Sequence, residues 1–239
     1  MAFGNGPQIV TNGLVLNLNA ADLNSYPGSG TSWYDISGNS KTGTLTNSPS
    51  FTSNGPTSYF SSFITNEYVQ GNSSYTGIQV PTGTASRTII IGFRTPSTLS
   101  GYQHILHYGT TSTDQAYGLA LLNGSFNNHT WAGNSNYANL TLSTSTDYIG
   151  AVKYNNSASP RNTFFLNGTF GTTGYGQGKT SDYAINTGTA YEVLLGSRIS
   201  GSELLGSGGR IYFALIYARD LTNNEILQNY NVLKTRFGL

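Results

Sequence analysis

The chain has no cysteine, so its fold depends on packing and hydrogen bonding rather than on disulfide bonds. Charged residues make up only 9% of it, and its net charge is +1. The 11 basic residues are scattered between Lys41 and Arg236, whereas nucleic-acid binding requires clustered basic side chains, so we expect no nucleic-acid partner. No apolar run is long enough to cross a bilayer, and Met1–Gln8 lacks the pattern of a secretion signal, so we expect no membrane partner.

Glycine and tyrosine are abundant, with 30 and 17 copies. This composition favours short strands joined by tight turns, because Gly and the many Asn residues tolerate the positive φ of such turns. Short apolar segments recur between clusters of Gly, Asn, Ser and Pro, which is typical of a β-sandwich or barrel. The predicted strands are Ile9–Leu18, Ser58–Ile64, Tyr68–Gln70, Arg87–Arg94, His104–Tyr108, Tyr117–Leu122, His129–Trp131, Tyr148–Tyr154, Thr163–Leu166, Tyr191–Leu195 and Gly209–Tyr217.

Asn-Gly dipeptides mark the ends of two of these strands. Asn167-Gly168 follows the strand at 163–166, and a second Asn-Gly, at 123–124, follows the strand that ends at Leu122. Asn-Gly is the dipeptide favoured in two-residue type I′ turns, so Asn167-Gly168 predicts a β-hairpin.

One helix is predicted, over 222–237. Thr222 suits the N-cap, and Glu225, three residues on, completes a capping box. Leu221 and Ile226 occupy the positions of a hydrophobic staple, so we expect this helix to pack on the sandwich. The chain shows no internal repeat, linker or composition shift. We therefore predict one domain over 1–239, with 1–8 as a short leader and 222–237 as the closing helix.

Two segments resemble a known family. The N-terminal GLVLNLNAA (13–21) and SYPGSGTSWYDISGN (25–39), and the C-terminal GRIYFALIYARDLTNNEI (209–226), are similar to the two ends of concanavalin A-like, or laminin-G-like, jelly rolls. The resemblance is to such domains in virion proteins of tailed phages, those of cyanophages above all, and a looser match covers 148–168. It implies an all-β fold: a jelly-roll sandwich of two antiparallel sheets, with a short C-terminal helix.

The resemblance also implies a function. The chain is expected to be a non-enzymatic structural protein on the virion surface, as a capsid decoration or a component of a head or tail fibre. Its expected partners are other virion proteins and further copies of itself in a homo-oligomer. Because this fold hosts lectins, glycanases and adhesins as well, two alternatives stay open. One is a carbohydrate-binding adhesin module for host-surface polysaccharide, and the other is a glycanase.

Catalytic residues are not identified. A glycanase requires two carboxylates that flank the scissile bond. Here the closest pair along the chain is Asp220 and Glu225, which lies at the start of the predicted helix and not on a strand. With no cysteine available as a nucleophile either, we predict that the protein is not an enzyme.

Metal sites are also not predicted. His104 and His107 are an odd number of residues apart, so a regular strand directs them to opposite faces. We therefore expect polar or interface roles for the three histidines and no metal ligand or cofactor. Calcium is the open alternative: Asp22, Asp35 and Asn39 supply oxygen atoms, although such residues also cap turns through Asx hydrogen bonds.

A glycan site is predicted between residues 127 and 137. Glycan recognition combines an aromatic platform with amide hydrogen bonds, and this loop-rich stretch offers both. The competing interpretation is that Trp131 belongs to the core. The predicted glycan-binding residues are Asn128, Trp131, Asn134 and Tyr137, with Asn127, Asn136, Tyr102 and Gln103 as neighbours that supply the same chemistry.

Overall fold

The protein folds into two antiparallel β-sheets and a short C-terminal helix, as predicted. The structure is a computed structural model that describes residues 8–71, 80–132, 134–171, 173–175, 182–198 and 202–239. For residues 134–139, 174, 175 and 191 it describes only the backbone. The predicted leader, 1–8, lies outside the described residues except for its last residue. Among the described helices, none has the length and apolar character needed to cross a membrane.

Eight strands form the first sheet. In spatial order they are β14 (Thr169–Gly171), β13 (Asn162–Leu166), β12 (Asp147–Tyr154), β7 (Arg87–Arg94), β17 (Arg210–Tyr217), β5 (Tyr59–Ser61) and β4 (Ser50–Thr52), with β1 (Leu14–Asn19) paired to β17. Nine strands form the second sheet. In spatial order they are β15 (Thr173–Tyr175), β11 (Asn134–Thr141), β10 (Ser125–Trp131), β9 (Ala116–Leu122), β8 (Tyr102–Gly109), β16 (Tyr191–Leu195), β6 (Tyr68–Gly71), β3 (Gly43–Thr46) and β2 (Ser32–Trp33).

The sheets pack face to face around an apolar core, and the central strands β7 and β17 of the eight-stranded sheet are buried on both sides. Strand β7 illustrates this burial, because its central residues form an unbroken apolar run in the sequence. Ile89 and Ile91 point into the core between the sheets, whereas Ile90 points into a second apolar cluster beneath the helix. A strand that is covered on both faces has no polar face to alternate with.

The C-terminal helix closes the outer side of the eight-stranded sheet. Helix α1 (Asn223–Leu233) begins after Thr222, whose side chain and that of Glu225 form the predicted capping box. A 3₁₀ helix (Lys234–Phe237) follows, so the predicted span 222–237 is confirmed. Ile226 and Tyr230 of α1 pack with strand residues in the second apolar cluster.

The predicted hairpin turn is present, and the second Asn-Gly dipeptide forms one as well. Asn167 and Gly168 have φ values of 42° and 91° and join β13 to β14. Asn123 and Gly124, with φ values of 49° and 84°, join β9 to β10 in the same way. Positive φ at both central residues is the requirement of the type I′ turn.

Several strand predictions differ from the structure: the strand predicted at 58–64 is confined to Tyr59–Ser61, and the one predicted at 129–131 begins at Ser125. The first strand begins at Leu14 rather than at Ile9, and residues 134–141 form β11 where the sequence indicated a loop. Asn is depleted in strands because of its intrinsic preferences, so an Asn-rich segment reads as a loop. Here the backbone of β11 pairs with β10 on one side and with β15 on the other, and this pairing outweighs the local preference.

A buried arginine joins the edge of the core to the loops around it. The Arg87 guanidinium, at the start of β7, is fully buried and lies 5.0 Å and 5.3 Å from the ring centres of Tyr117 and Tyr154. Neutral oxygens accept its hydrogen bonds, so the buried charge is compensated by hydrogen bonds and aromatic faces. The acceptors are the carbonyl oxygens of Pro81, Gly83 and Ala85 and the hydroxyls of Tyr108 and Thr187.

We predict that Arg87→Lys lowers the free energy of unfolding by about 3 kcal/mol. The lysine ammonium cannot direct hydrogen-bond donors to all the separate acceptors that the guanidinium reaches, so buried acceptors are left unpaired. The matched control is Arg94→Lys at the other end of β7. Arg94 forms a partly exposed ion pair with Asp147 at 2.7 Å, and we expect a loss below about 1 kcal/mol. Urea unfolding of both variants measures the difference, and equal losses would contradict the role given to Arg87.

Candidate functional site

The outer face of the nine-stranded sheet carries polar and aromatic side chains. Strand β9 divides the two sides of this sheet clearly. Tyr117, Leu119 and Leu121 lie in the core between the sheets, so the residues between them, such as Gly118 and Ala120, face outward. Neither apolar cluster of the described residues extends to this outer face.

A β-bulge in β8 brings two histidines to the outer face. Regular alternation would separate His104 from His107, as expected from their spacing. That prediction is wrong, because the pairing of β8 with β9 shifts by one residue between His104 and Leu106. Ile105 is the extra residue, and the alternation restarts after it. The two rings consequently share one face, with their centroids 5.5 Å apart.

The third histidine of the chain completes a histidine cluster, the name used here for His104, His107 and His129. His129 lies on β10, and a 3.1 Å hydrogen bond joins its Nδ1 to Nε2 of His104, one nitrogen donating and the other accepting. Tyr102 and Trp131 border the cluster. The Tyr102 ring centre is 4.7 Å from that of His129, and the Trp131 ring centre is 6.4 Å from that of His107.

Small residues of β9 form the floor of the cluster. A Cβ atom on Gly118 would lie 3.1 Å from Cδ2 of His107 and 3.4 Å from Cδ2 of His104. Gly118 therefore lets the imidazole rings lie against the sheet, where a larger side chain would displace them.

Arg198 and Glu203 cover the cluster. The Arg198 guanidinium lies 4.5 Å from the ring centre of Trp131, and its Nη2 is 3.1 Å from Oε1 of Glu203. The other carboxylate oxygen of Glu203 is 3.3 Å from Nδ1 of His104. The main chain adds a further contact, because the His104 N–H donates to the Glu203 carbonyl oxygen at 3.0 Å.

Burial keeps the histidine cluster uncharged. Burial, together with the neighbouring His129 and the positive charge of Arg198, lowers the pKa of His107 to about 3. Burial and the charge of Arg198 lower the pKa of His129 to about 4. Burial, with the neighbouring imidazoles and Arg198, also holds the pKa of His104 well below its usual range. For Glu203 burial raises the pKa, although Arg198 acts in the opposite direction.

Two features of the cluster oppose stability. Both ring nitrogens of His107 lack a hydrogen-bond partner among the described residues, although the side chain is fully buried. Trp131 has a φ of 82°, in the left-handed region that bulky residues rarely adopt. Strained backbone costs about 1–3 kcal/mol per residue and tends to occur at functional sites.

The structure separates some of the predicted glycan-binding residues. Asn128 follows Phe126 by two residues on β10, so it shares the core-facing side and is fully buried, whereas Trp131 lies beside the histidine cluster. The backbone of Asn134 pairs with Trp131, and that of Tyr137 pairs with Asn127. The side chains of Asn134 and Tyr137 lie outside the described residues. The histidines, Arg198 and Glu203 were not predicted as site residues.

The residues considered for calcium make turn contacts. The Asp35 carboxylate accepts hydrogen bonds from the N–H groups of Asn17, Ser37 and Lys41, and Asp22 accepts one from the N–H of Asn24. These contacts fit the turn-capping alternative. Across the part of the chain that the structure describes, no three His, Asp or Glu side chains are grouped so as to hold a metal ion.

Comparison with known proteins supports the fold. No family model matches the chain, and no curated protein is significantly similar to it in sequence. Solved structures are similar in fold. A Trypanosoma rangeli sialidase matches over 94% of this chain and 33% of its own, with a TM-score of 0.63 and 14% identity. The receptor-binding domain of botulinum neurotoxin D matches over 93% of this chain and 53% of its own, with a TM-score of 0.59 and 10% identity.

The chain therefore spans about a third of the sialidases and about half of the neurotoxin domain. At such low identity the likeness establishes a β-sandwich fold alone. It also corrects one prediction. We predicted from the carboxylate spacing that the protein is not an enzyme, but the similar chains include sialidases, so this exclusion is wrong as stated. The similarity is one of fold and carries no evidence of activity.

We predict that His129→Leu and His107→Leu differ in their effect on stability. His129→Leu removes the hydrogen-bond partner of a buried His104 nitrogen and should cost about 1–3 kcal/mol. His107→Leu removes two unpaired nitrogens at similar volume, so we expect a change within about 0.5 kcal/mol or a gain. Urea unfolding at pH 7.5 compares them, and a loss for His107→Leu equal to that of His129→Leu would contradict the described pairing.

Proposed function

We propose that this chain is a carbohydrate-binding module, displayed on a virion surface, that attaches the particle to host polysaccharide through the outer face of the nine-stranded sheet. The observation that carries the proposal is the position of Tyr102 and Trp131. These half-buried aromatic rings border a polar cluster on the outer face, with Arg198 and Glu203 between the cluster and solvent.

The chemistry of this surface suits a sugar. The apolar face of a pyranose ring packs against an aromatic ring, while its hydroxyl groups need donors and acceptors placed nearby. Arg198 supplies donors, and Glu203 supplies acceptors next to the Trp131 ring. Charged partners make stronger hydrogen bonds than neutral ones, which favours orientation of a weakly held ligand.

The solved structures support this class of ligand at the level of the fold. One similar chain is a Trypanosoma rangeli sialidase in complex with sialic acid, and another is named a receptor-binding domain. Those ligands belong to longer chains, so the sugar recognised here is not transferred from them. The virion setting is supported by the similarity of segments 13–39 and 209–226 to phage virion proteins.

A structural role within the particle is the second candidate, and the same segments favour it. In that case the chain decorates a capsid or forms part of a fibre through contacts with other virion proteins and with its own copies. Oligomerisation fits both candidates, because several weak sugar sites on one particle bind with a combined affinity far above that of one.

The proposal predicts that Trp131→Ala lowers glycan affinity at least about tenfold, since an aromatic platform in a binding site is worth upwards of 1.4 kcal/mol. Tyr34→Ala is the matched control: Tyr34 is an exposed aromatic residue, 47% accessible, that follows β2 and has no part in the cluster. A glycan array identifies the ligand, and calorimetry then compares the variants, each first checked for an unchanged thermal unfolding midpoint.

Two results would contradict this function. If the folded chain retains no polysaccharide or oligosaccharide on the array, the binding proposal fails and the structural role remains. If Trp131→Ala and Tyr34→Ala bind equally well, the outer face of the nine-stranded sheet is not the binding surface. Immunogold labelling of purified particles tests the virion setting separately, and unlabelled particles would exclude it.

A further inference from the structure

We propose that the histidine cluster is an acid-sensitive latch, which holds Arg198 and Glu203 over the outer face at neutral pH and releases them on acidification. The proposal goes beyond the proposed function and does not depend on it. It rests on the arrangement of charged and titratable side chains around the three imidazole rings.

The three imidazole rings lie in mutual contact and out of solvent. The His104 and His129 centroids are 5.2 Å apart, those of His104 and His107 are 5.5 Å apart, and none of the three residues is more than 2% exposed. An imidazole that takes up a proton here gains a charge next to other imidazoles and next to the permanent charge of Arg198. Each additional proton is therefore harder to accommodate in the closed arrangement.

Among the described residues around the histidine cluster, there is too little negative charge to balance the positive charge of protonated imidazoles. Glu203 is the carboxylate that contacts the cluster, and its charge is already shared with Arg198 at 3.1 Å. Strand β9 contributes only small side chains at this point, and β16 places Leu194 opposite His107. Glu192, two residues before Leu194 on β16, is hydrogen-bonded to Gln70 and has no contact with the three imidazoles among those described. Tyr102 of β8 lies against His129 and supplies a phenol ring rather than a carboxylate. One carboxylate cannot balance Arg198 and three imidazolium groups.

Release of Arg198 and Glu203 from the histidine cluster is a local change. The cluster lies outside both apolar clusters, so hydrating the imidazoles requires the release of Arg198 and Glu203 but not separation of the sheets. The described contacts to be broken are few: the stacking of Arg198 on Trp131, the contact of Glu203 with His104, and the main-chain bonds from the His104 N–H to Glu203 and from the Arg198 N–H to Ser202. Segments held by few contacts open at lower free energy than the whole domain.

The direction of the pH effect follows from linkage. In the open state the imidazoles are hydrated and take up protons below about pH 6.5, whereas in the closed state His107 and His129 resist protonation down to pKa values of about 3 and 4. The open state therefore binds more protons between these limits, and falling pH favours it. With two such groups, the opening constant rises roughly a thousandfold or more between pH 7.5 and pH 4.5.

Residue-resolved amide exchange on the unmodified chain tests the latch. The amide of His104, which donates to Glu203, and the amide of Arg198, which donates to Ser202 at 2.9 Å, report on the cover. Their protection factors, corrected for the intrinsic pH dependence of exchange, should fall at least tenfold from pH 7.5 to pH 4.5. The amide of Ile90 in β7 reports on the sandwich and should keep its protection.

The two tryptophans give a second measurement, because Trp131 borders the cluster and Trp33 is buried in the core between the sheets. In a Trp33→Phe variant, acrylamide quenching of Trp131 should increase at least twofold at pH 4.5. In a Trp131→Phe variant, quenching of Trp33 should stay constant.

His107→Leu removes one titrating group without breaking a hydrogen bond, so it should shift the opening to lower pH.

The outcomes are decisive in each direction. Loss of protection at His104 and Arg198 while Ile90 stays protected supports the latch. Simultaneous loss at all three amides, or equal exposure of both tryptophans, means global acid unfolding and overturns it. Constant protection at all three amides across this pH range overturns it as well.

Discussion

The register of β8 against β9 determines which side chains lie on each face of the nine-stranded sheet. The extra residue, Ile105, lies in the inter-sheet core together with Leu106 and Tyr108, so the core gains an apolar contact at the bulge. On the other side the same shift brings His104 and His107 onto one face. A regular strand would direct one imidazole into the apolar core, where an unpaired polar ring costs more than it does beneath a polar cover.

Buried polar groups in this molecule differ in how completely their hydrogen bonds are satisfied. Around Arg87 the polar groups are paired with neutral acceptors and aromatic faces, which makes the site rigid and suited to holding loops in place. In the histidine cluster the pairing is incomplete, since His107 has no partner among the described residues. A partly satisfied network is the less stable kind, and it lies on the face that the proposed ligand would contact. This contrast distinguishes the structural site at Arg87 from the face proposed to bind the ligand.

The sequence predicted those parts of the fold that are decided locally. The limits of β7 and β16, the Asn-Gly turns and the capped C-terminal helix all follow from neighbouring residues, and each was found at its predicted position. The histidine cluster could not be predicted, because it depends on a bulge at Ile105 that leaves no mark in the apolar pattern. The position of Arg198 and Glu203 over the cluster is equally non-local, since they lie about 70 to 100 residues from the histidines along the chain. Asn128 was misplaced by counting it with Trp131 across the irregular end of β10.

The central claim is that the outer face of the nine-stranded sheet binds the ligand, and mapping by NMR tests it most directly. The chain has two indole N–H groups, one on Trp131 beside the histidine cluster and one on Trp33 in the core. On titration with a glycan that the chain retains, the signals of Trp131 and of the His129 ring should shift in proportion to occupancy, while that of Trp33 stays in place. Shifts confined to residues of the eight-stranded sheet or the helix would place the ligand elsewhere and contradict the account.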